Sequence, residues 1–377
     1  MLSDVPEGWS SVALGDVIRL EYGRALAASA REAGNVPVYG SNGICGQHSA
    51  ALVNERSIVV GRKGTAGSVT VTEGPFWPID TTYFVVPRVE ADFDWLAATL
   101  EHARLSQLNE ATGVPGLNRD KAYVQPILLP PLDEQRRIAE VLRAGDEALE
   151  LARNAADQHL ALWEALAHDL IWRPALEDDA LLAPMARSIK ASDYGVNAPL
   201  HDQASGFAVL RMGNIQQGQI DLANIKWGEI GEAEAVALKL RDGDILFNRT
   251  NSRDLVGKVA LVRGEPDYIY ASYLVRLSID RATADPYFVF AAMNSRGGQA
   301  RIRTIATPGV SQSNINPTNL KKLLFPLFNL ELQREISTVL QGVEAAWLKA
   351  RHEVERLRAL RISVSSSLLS GRVRVPA

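Results

Sequence analysis

The chain has 377 residues, 46% hydrophobic and 22% charged, a balance that belongs to a soluble folded protein with room for two globular units. Its single cysteine, Cys45, excludes an internal disulfide and a multi-cysteine zinc cage, and its six histidines show no H-E-x-x-H or paired spacing, so no metal site is expected. A formal net charge of −4 excludes any argument for nucleic acid from bulk charge; local patches must carry one.

From the N-terminus, "MLSDVPEGWSSVAL" has acidic residues and no basic-then-apolar run, so no signal peptide is expected. No apolar stretch approaches the roughly 20 residues of a membrane span, and the expectation is a cytoplasmic protein. The first region reads as short strands with glycine-rich turns. "SIVVGRKGTAGSVTV" has an apolar run, a turn, then alternation at Val69 and Val71, and "TTYFVVP" adds a strand closed by Pro87. "WLAATLEHARLSQL" is a helical stretch, which makes the region α+β. The turn holds Arg62, Lys63 and Thr65, with no acidic residue from Arg56 through Thr72. A Gly-bounded polar loop, "TGVPGLNRDKAY", then offers Asn118, Arg119 and Lys121 ahead of the last apolar strand.

No proline interrupts Asp133 to Trp172, and apolar residues there repeat every seven. The a positions are Ile138, Gly145, Ala152, His159 and Leu166; the d positions are Leu142, Leu149, Ala156, Trp163 and Leu170. This predicts a coiled-coil helix, a rod of roughly 60 Å, entered through "PPLDEQ". His159 at an a position reads as a seam residue and not a ligand. Residues 133–172 carry nine acids against four bases, which suits a protein partner better than phosphate.

The plan then recurs. "DGDILFNRTNSRDLVGKVALV" and "YASYLVRLSI" predict strands around a turn holding Asn248, Arg249, Thr250, Asn251, Ser252, Arg253 and Lys258, with Asp254 the only acid among them. "PYFVFAAMNSRGGQARI" predicts a helix, and "TPGVSQSNINPTN" brings Ser311, Gln312, Ser313 and Asn314 ahead of the final strand. The last heptad series puts Ile336, Val343, Ala350, Leu357 and Val364 at a, with Leu340, Trp347, Val354, Arg361 and Leu368 at d, and "FNLELQ" supplies Asn329 as a cap. Small residues in one helix against bulky ones in the other favour an antiparallel pair over two helices packed separately on their own domains.

The recurrence is also visible residue by residue. "EQRRIAEVL" falls on "LQREISTVL" at an offset of 198, matching Gln135 with Gln333 and Arg136 with Arg334. "GVPGLNRD" falls on "GVSQSNIN" at 196, matching Gly113, Val114 and Asn118 with Gly309, Val310 and Asn314. "AGSVTVT" falls on "VGKVALV" at 190, with Tyr83 on Tyr273. Arg and Lys neutralise phosphates and bind guanine, and Asn bonds adenine, so the basic turns fit DNA readout. One such turn alone reads equally as a solvated hairpin tip; its recurrence in both halves favours contact. For the second loops two readings stay open: they line the same face, or Asn118 and Asn314 only cap turns.

The chain lacks an N-P-P-Y or D-P-P-Y tetrad, a glycine-rich turn for S-adenosylmethionine, and P-loop spacing in "GRKGTAG". No catalysis and no cofactor are expected. Two other classes remain: a metal-dependent nuclease with dispersed acidic residues, and a coiled-coil adaptor binding proteins through its globular ends.

"LPPLDEQRRIAEVL" with its weaker copy "FPLFNLELQREISTVL", the opening "LSDVPEGWSSVALGDVI", "VYGSNGICG" and "VLRMGNIQQGQID" together resemble the DNA-specificity subunit of type I restriction-modification systems. The resemblance covers essentially the whole chain. It implies an α+β fold with target-recognition domains at 1–132 and, with a linker, 173–330, separated by antiparallel helices at 133–172 and 331–371. It implies double-stranded DNA as a partner, each domain reading one half of a split site. It implies two methyltransferase subunits held by the helices, and restriction subunits held through the complex. On that reading DNA is met by Arg62, Lys63, Thr65, Asn118, Lys121, Asn248, Arg249, Asn251, Arg253, Lys258, Gln312 and Asn314, and protein partners by Gln135, Arg136, Gln333 and Arg334. The second copy departs at Leu332, which stands where the first has Glu134.

Overall fold

The computed structural model describes residues 5–108, 116–309 and 312–375. The matched residues Gly113, Val114 and Val310, and Ser311 of the second loop, lie outside these. The chain forms two compact units, residues 1–153 with 352–377, and residues 154–351. The division falls inside the two long helices and not at their ends, where the sequence suggested boundaries.

In chain order the first unit holds β1 (Ser10–Ala13), the single turn α1 (Leu14–Val17), β2 (Ile18–Tyr22), β3 (Val36–Gly40), β4 (Gly43–His48), β5 (Ser57–Gly61), β6 (Val69–Thr72), β7 (Trp77–Pro78), β8 (Thr82–Pro87), α2 (Phe93–His102), α3 (Arg119–Tyr123) and β9 (Pro126–Leu129). The long helix α4 (Leu132–Ala167) follows, passing through a π-helical turn (His168–Trp172) into α5 (Arg173–Glu177). The helix thus runs beyond the expected end at Trp172. Pro174 cannot donate to the carbonyl four residues back, and a wider turn just before it absorbs the lost bond.

The second unit holds β10 (Leu182–Pro184), β11 (Ile189–Tyr194), β12 (Phe207–Leu210), β13 (Ile215–Gln216), β14 (Gln219–Ile220), β15 (Lys226–Gly228), α6 (Glu232–Ala237), β16 (Ile245–Asn248), β17 (Thr250–Asn251), β18 (Val259–Leu261), β19 (Tyr268–Tyr270) and β20 (Leu274–Ile279). It continues with α7 (Pro286–Asn294), α8 (Arg296–Thr304), β21 (Thr307–Pro308), β22 (Ser313–Asn314), α9 (Pro317–Lys322), β23 (Leu324–Pro326) and the long helix α10 (Leu330–Leu369). The single helix expected over "PYFVFAAMNSRGGQARI" is two, because Ser295 stops one and caps the next by accepting the Gly298 N–H.

The two units share a plan. One has a four-stranded antiparallel sheet in the order β2-β8-β5-β6, the other β11-β20-β16-β18. One has a three-stranded sheet β4-β3-β7 with β3 and β7 parallel, the other β15-β12-β19 with β12 and β19 parallel. The pairs β1-β9 and β10-β23 close each unit. β5 and β16 sit inside their sheets and are buried along their whole length, which explains apolar runs where an exposed strand would alternate.

Ladder register tests the offsets. Val60 pairs with Val69 as Phe247 pairs with Val259, so the offset of 190 holds for the strand after the turn. It fails for Tyr83. Arg62 N–H donates to Thr81 O and Arg249 N–H to Tyr273 O, so Thr81 occupies the place of Tyr273. Asn118 likewise corresponds to Asn316 and not Asn314: each caps the helix that follows, Asn118 accepting from Asp120 N–H at 2.8 Å and Asn316 from Thr318 N–H at 2.8 Å.

In the first unit, Ile138, Ala139 and Leu142 of α4 and Leu368 and Leu369 of α10 share one core with Trp95, Leu96 and β2. The helices run antiparallel there: Glu134 pairs with Arg374 just beyond α10, and Asp146, further along α4, pairs with the earlier Arg361. In the second unit Trp163, Ala167, Ile171 and Trp172 share a core with Ile336 and Leu340. Trp163 donates to the Tyr287 hydroxyl at 3.2 Å, and Trp172 donates to Ser295 at 2.8 Å. Asn329 caps α10 as expected, accepting from Leu332 N–H.

Candidate nucleic-acid interface

In the first unit the turn after β5 is clamped at Arg62. Its N–H donates to Thr81 O and its carbonyl accepts from Leu117 N–H, both at 2.8 Å, so its backbone is fixed between two neighbouring segments. Gly67 lets the turn close; at φ +78° it lies so near Ser106 that a Cβ would come within 2.2 Å of that backbone nitrogen. The Arg62 guanidinium lies 5.2 Å from the centre of the Tyr22 ring and donates to Asp80 O at 2.9 Å. Arg119, at the start of α3, approaches the same ring at 5.1 Å. Tyr22 is half exposed and contacts Tyr83, whose hydroxyl bonds Leu117 O; burial, with the neighbouring Tyr22, pushes the Tyr83 phenol up to about 12. Tyr22, Arg62, Lys63, Tyr83, Asn118 and Arg119 line one shallow cavity, and Lys63 and Thr65 are exposed beside it.

The second unit repeats the clamp. Arg249 N–H donates to Tyr273 O at 3.0 Å and Arg249 O accepts from Ile315 N–H at 2.8 Å. The guanidinium lies 5.1 Å from the Tyr194 ring, which is half exposed, and donates to the Asn314 side-chain oxygen at 3.0 Å. The second loop therefore lies on the basic turn in both units, through Leu117 in one and through Ile315 and Asn314 in the other. Arg253 and Gln312 are exposed. Lys258 donates to Gln216, and the Asn251 side chain accepts from Ser252 N–H in its own loop.

Several expected site residues do other work. Asn248 is fully buried as the last residue of β16, so its amide cannot reach a duplex in this conformation. The Asn118 oxygen is engaged in capping α3. Lys121 is half-buried on α3 and also takes part in an interaction within the fold. Gln135 and Gln333 are buried: each accepts the N–H of the residue capping a domain helix, Asp92 for α2 and Asp285 for α7, and donates to a carbonyl ahead of its own helix, Pro130 or Phe328. Neither can meet a partner. Arg136 and Arg334 remain exposed. Glu134 explains the departure at Leu332: it is buried, accepts from Trp9 at 2.8 Å, and is held by Arg374, while Leu332 is exposed and has no such duty.

Neither Tyr22 nor Tyr194 stands out in the sequence, and Tyr83 does so only through its match with Tyr273. Tyr22 closes "RLEY" and Tyr194 closes "ASDY", an acid followed by Tyr at the end of the first sheet strand in both halves. Their spacing of 172 lies outside the 190–198 range, because the second unit carries a longer stretch between β11 and β16.

Chemically, the arrangement presents a cation over a half-exposed aromatic face. Among the described residues neither Arg62 nor Arg249 forms an ion pair, whereas Arg56, Arg276 and Arg361 are matched to carboxylates. An unneutralised, backbone-clamped arginine retains its full field, and the guanidinium donors not given to Asp80 O or to Asn314 remain for a phosphate or a guanine edge. Among the described residues no cluster of three or more His, Cys, Asp or Glu is placed to hold a metal, and no helix is long and apolar enough to cross a membrane.

Residues 6–158 match the family described as type I restriction modification DNA specificity domain. Over 152 residues the chain is 31% identical to the MjaX type I restriction enzyme specificity subunit of Methanocaldococcus jannaschii, covering 40% of this chain and only 36% of that protein. The MjaVIII type I restriction enzyme specificity subunit of the same organism is 22% identical over an alignment covering 98% of this chain and 94% of its own. The crystal structure of a type I restriction-modification S subunit from M. genitalium superposes with a TM-score of 0.62 at 14% identity, covering 98% of both chains, which shows a shared fold.

Proposed function

We propose that this chain, whose residues 6–158 belong to the type I restriction-modification DNA specificity family, is the sequence-recognition subunit of such a system. It is not itself an enzyme; it directs methyltransferase and restriction subunits to DNA in the cytoplasm. Each unit reads one half of a bipartite site, and the bases between the halves are unspecified. α4 and α10 set that gap and hold the methyltransferase subunits, with Arg136 and Arg334 on the outward face of their first turns.

The observation that carries this reading is the recurrence of one device at one place in both units. After the central strand, an unpaired arginine is clamped through its backbone and laid near a half-exposed tyrosine. Core packing alone does not call for a half-buried, unneutralised cation twice over. The surrounding loops differ, Lys63 and Thr65 in one against Asn251, Arg253 and Lys258 in the other, which supports two half-sites of different sequence.

The test is methylated-adenine mapping in a host carrying this chain together with the methyltransferase subunits it assembles with. A split, asymmetric motif with an unspecified centre is expected. Methylation that does not depend on this chain, or a continuous palindromic motif, overturns the reading.

A further inference from the structure

Residues 286–330 contain no aspartate or glutamate and five basic residues, Arg296, Arg301, Arg303, Lys321 and Lys322. The corresponding stretch of the first unit, 93–130, has four acids against three bases. Soluble surfaces normally intersperse both signs, so a one-signed stretch of this length marks a field directed at something. Cations at helix C-termini complement the helix dipole, which accounts for where Arg303, Lys321 and Lys322 sit. It does not account for the missing acids.

The stretch is built around the Arg249 turn. α8 lies beneath that turn: Gln299 donates to Gly257 O at 2.9 Å, and Ile302 is packed so close to Gly257 that a Cβ there would meet it at 2.6 Å. α8 leads into β21, which joins β22 and β17 of the turn in one small sheet. α9 starts just after Ile315, whose N–H holds Arg249 O. One of the five cations is committed within the fold, Arg301, which stacks over Trp172 and donates to Leu324 O; the backbone N–H of Arg296 donates to the Glu164 carboxylate, which partly offsets its charge. Arg303 and Lys322 are exposed and Lys321 half-buried, and among the described residues none of these three forms an ion pair.

We infer that Arg303, Lys321 and Lys322 grip the phosphate backbone of the duplex beside the bases met by the Arg249 turn, so that the second unit carries the larger electrostatic share of DNA binding. This rests on the reading of the chain as a DNA-recognition subunit. The occupant is duplex DNA met through its phosphates: the three charges sit at the C-terminal ends of α8 and α9, they are point charges without carboxylate partners, and both helices are tied to the proposed base-reading turn.

The experiment uses the full chain assembled with its methyltransferase subunits and measures affinity against salt for a duplex carrying the mapped site and for a scrambled duplex. Each lost phosphate contact lowers the slope of log affinity against log salt by about 0.9. The variant R303Q/K321Q/K322Q should flatten the slope by about 2 to 3 on both duplexes, leaving the ratio of the two affinities unchanged. The variant R303K/K321R/K322R should keep the wild-type slope. Arg104→Gln, at the exposed cation of the corresponding stretch, should leave it within about half a phosphate contact of wild type. A wild-type slope in the triple variant overturns the inference, and so does a loss confined to the specific duplex. A wild-type assembly with no preference for any sequence overturns the recognition reading itself, and the grip with it.

Discussion

The side-chain carbonyl of Gln333 accepts the backbone N–H of Asp285 at 2.9 Å, while its amide donates to Phe328 O at 2.7 Å. Asp285 caps α7, so one buried amide ties the start of a long helix to the start of a domain helix and to the chain entering it. Gln135 makes the same tie between Asp92 and Pro130. An N-cap residue normally leaves its own N–H to solvent or to a capping box; here a glutamine from another helix supplies the acceptor.

Gln135→Ala and Gln333→Ala should therefore each lower stability by about 1–3 kcal/mol, because each leaves a partly buried N–H and a buried carbonyl unpaired. Arg136→Ala and Arg334→Ala, at exposed neighbours, should stay within about 0.5 kcal/mol of wild type. Denaturant midpoints of the four variants check this; equal losses at the arginines would show that these glutamines are not the ties.

Arg62→Ala and Arg249→Ala should weaken DNA binding by the assembled complex by about 1–3 kcal/mol if each contacts a base, without unfolding the chain. Tyr22→Leu and Tyr194→Leu should do so to a smaller degree, since they remove only the aromatic face beside the guanidinium, worth about 0.5–1 kcal/mol at an exposed site. Filter binding at several salt concentrations separates the cases. Full affinity for both arginine variants at every salt concentration would remove these turns from the interface.

Much of this was legible in the sequence because it lay in period and composition. The seven-residue apolar repeat identified both long helices, and basic turns between apolar runs, the first free of acids and the second with Asp254 alone, located Arg62 and Arg249. What stayed hidden depends on which backbone group meets which. Gln135 and Gln333 stood out as identical residues, yet only the fold shows them facing inward. Asn248 looked like part of the basic turn, but the last position of a central strand points into the core. Asn118 was matched with Asn314 because both follow a Gly-Val pair, whereas its cap role belongs to Asn316, two residues on, at the same offset of 198 as the helices. Tyr22 and Tyr194 escaped because the loops before each turn differ in length.

The carboxylate of Glu134 is held below the usual range by hydrogen bonds from Arg374, with Trp9 adding, against the opposing effect of burial. A depressed folded-state pKa means that this contribution is fully present above the unfolded value and is lost as pH falls through the folded one. Arg374→Ala should cost about 1.5–3 kcal/mol at neutral pH. Its difference from wild type should shrink as pH drops below the ordinary glutamate range. Unfolding free energies of both proteins across that range test it; a constant difference down to strong acid would mean that Arg374 acts through its packing on Trp9 and not through the ion pair.

The helices supply the last prediction. α4 runs unbroken from Leu132 to Ala167, and residues from its first turns belong to one unit while those from its last belong to the other. If base contacts are confined to the units, the distance between half-sites is set by helix length and not by any loop. Inserting four residues after Ala155 adds about one turn, roughly 6 Å of rise, against 3.4 Å per base pair. The unspecified gap should therefore lengthen by about one or two base pairs, while both half-site sequences stay the same, since no residue of either basic turn is touched. Methylation mapping of an assembled, active variant decides it. Altered half-sites with the original gap would mean that α4 is not the ruler and that the spacing is fixed by contacts within the units.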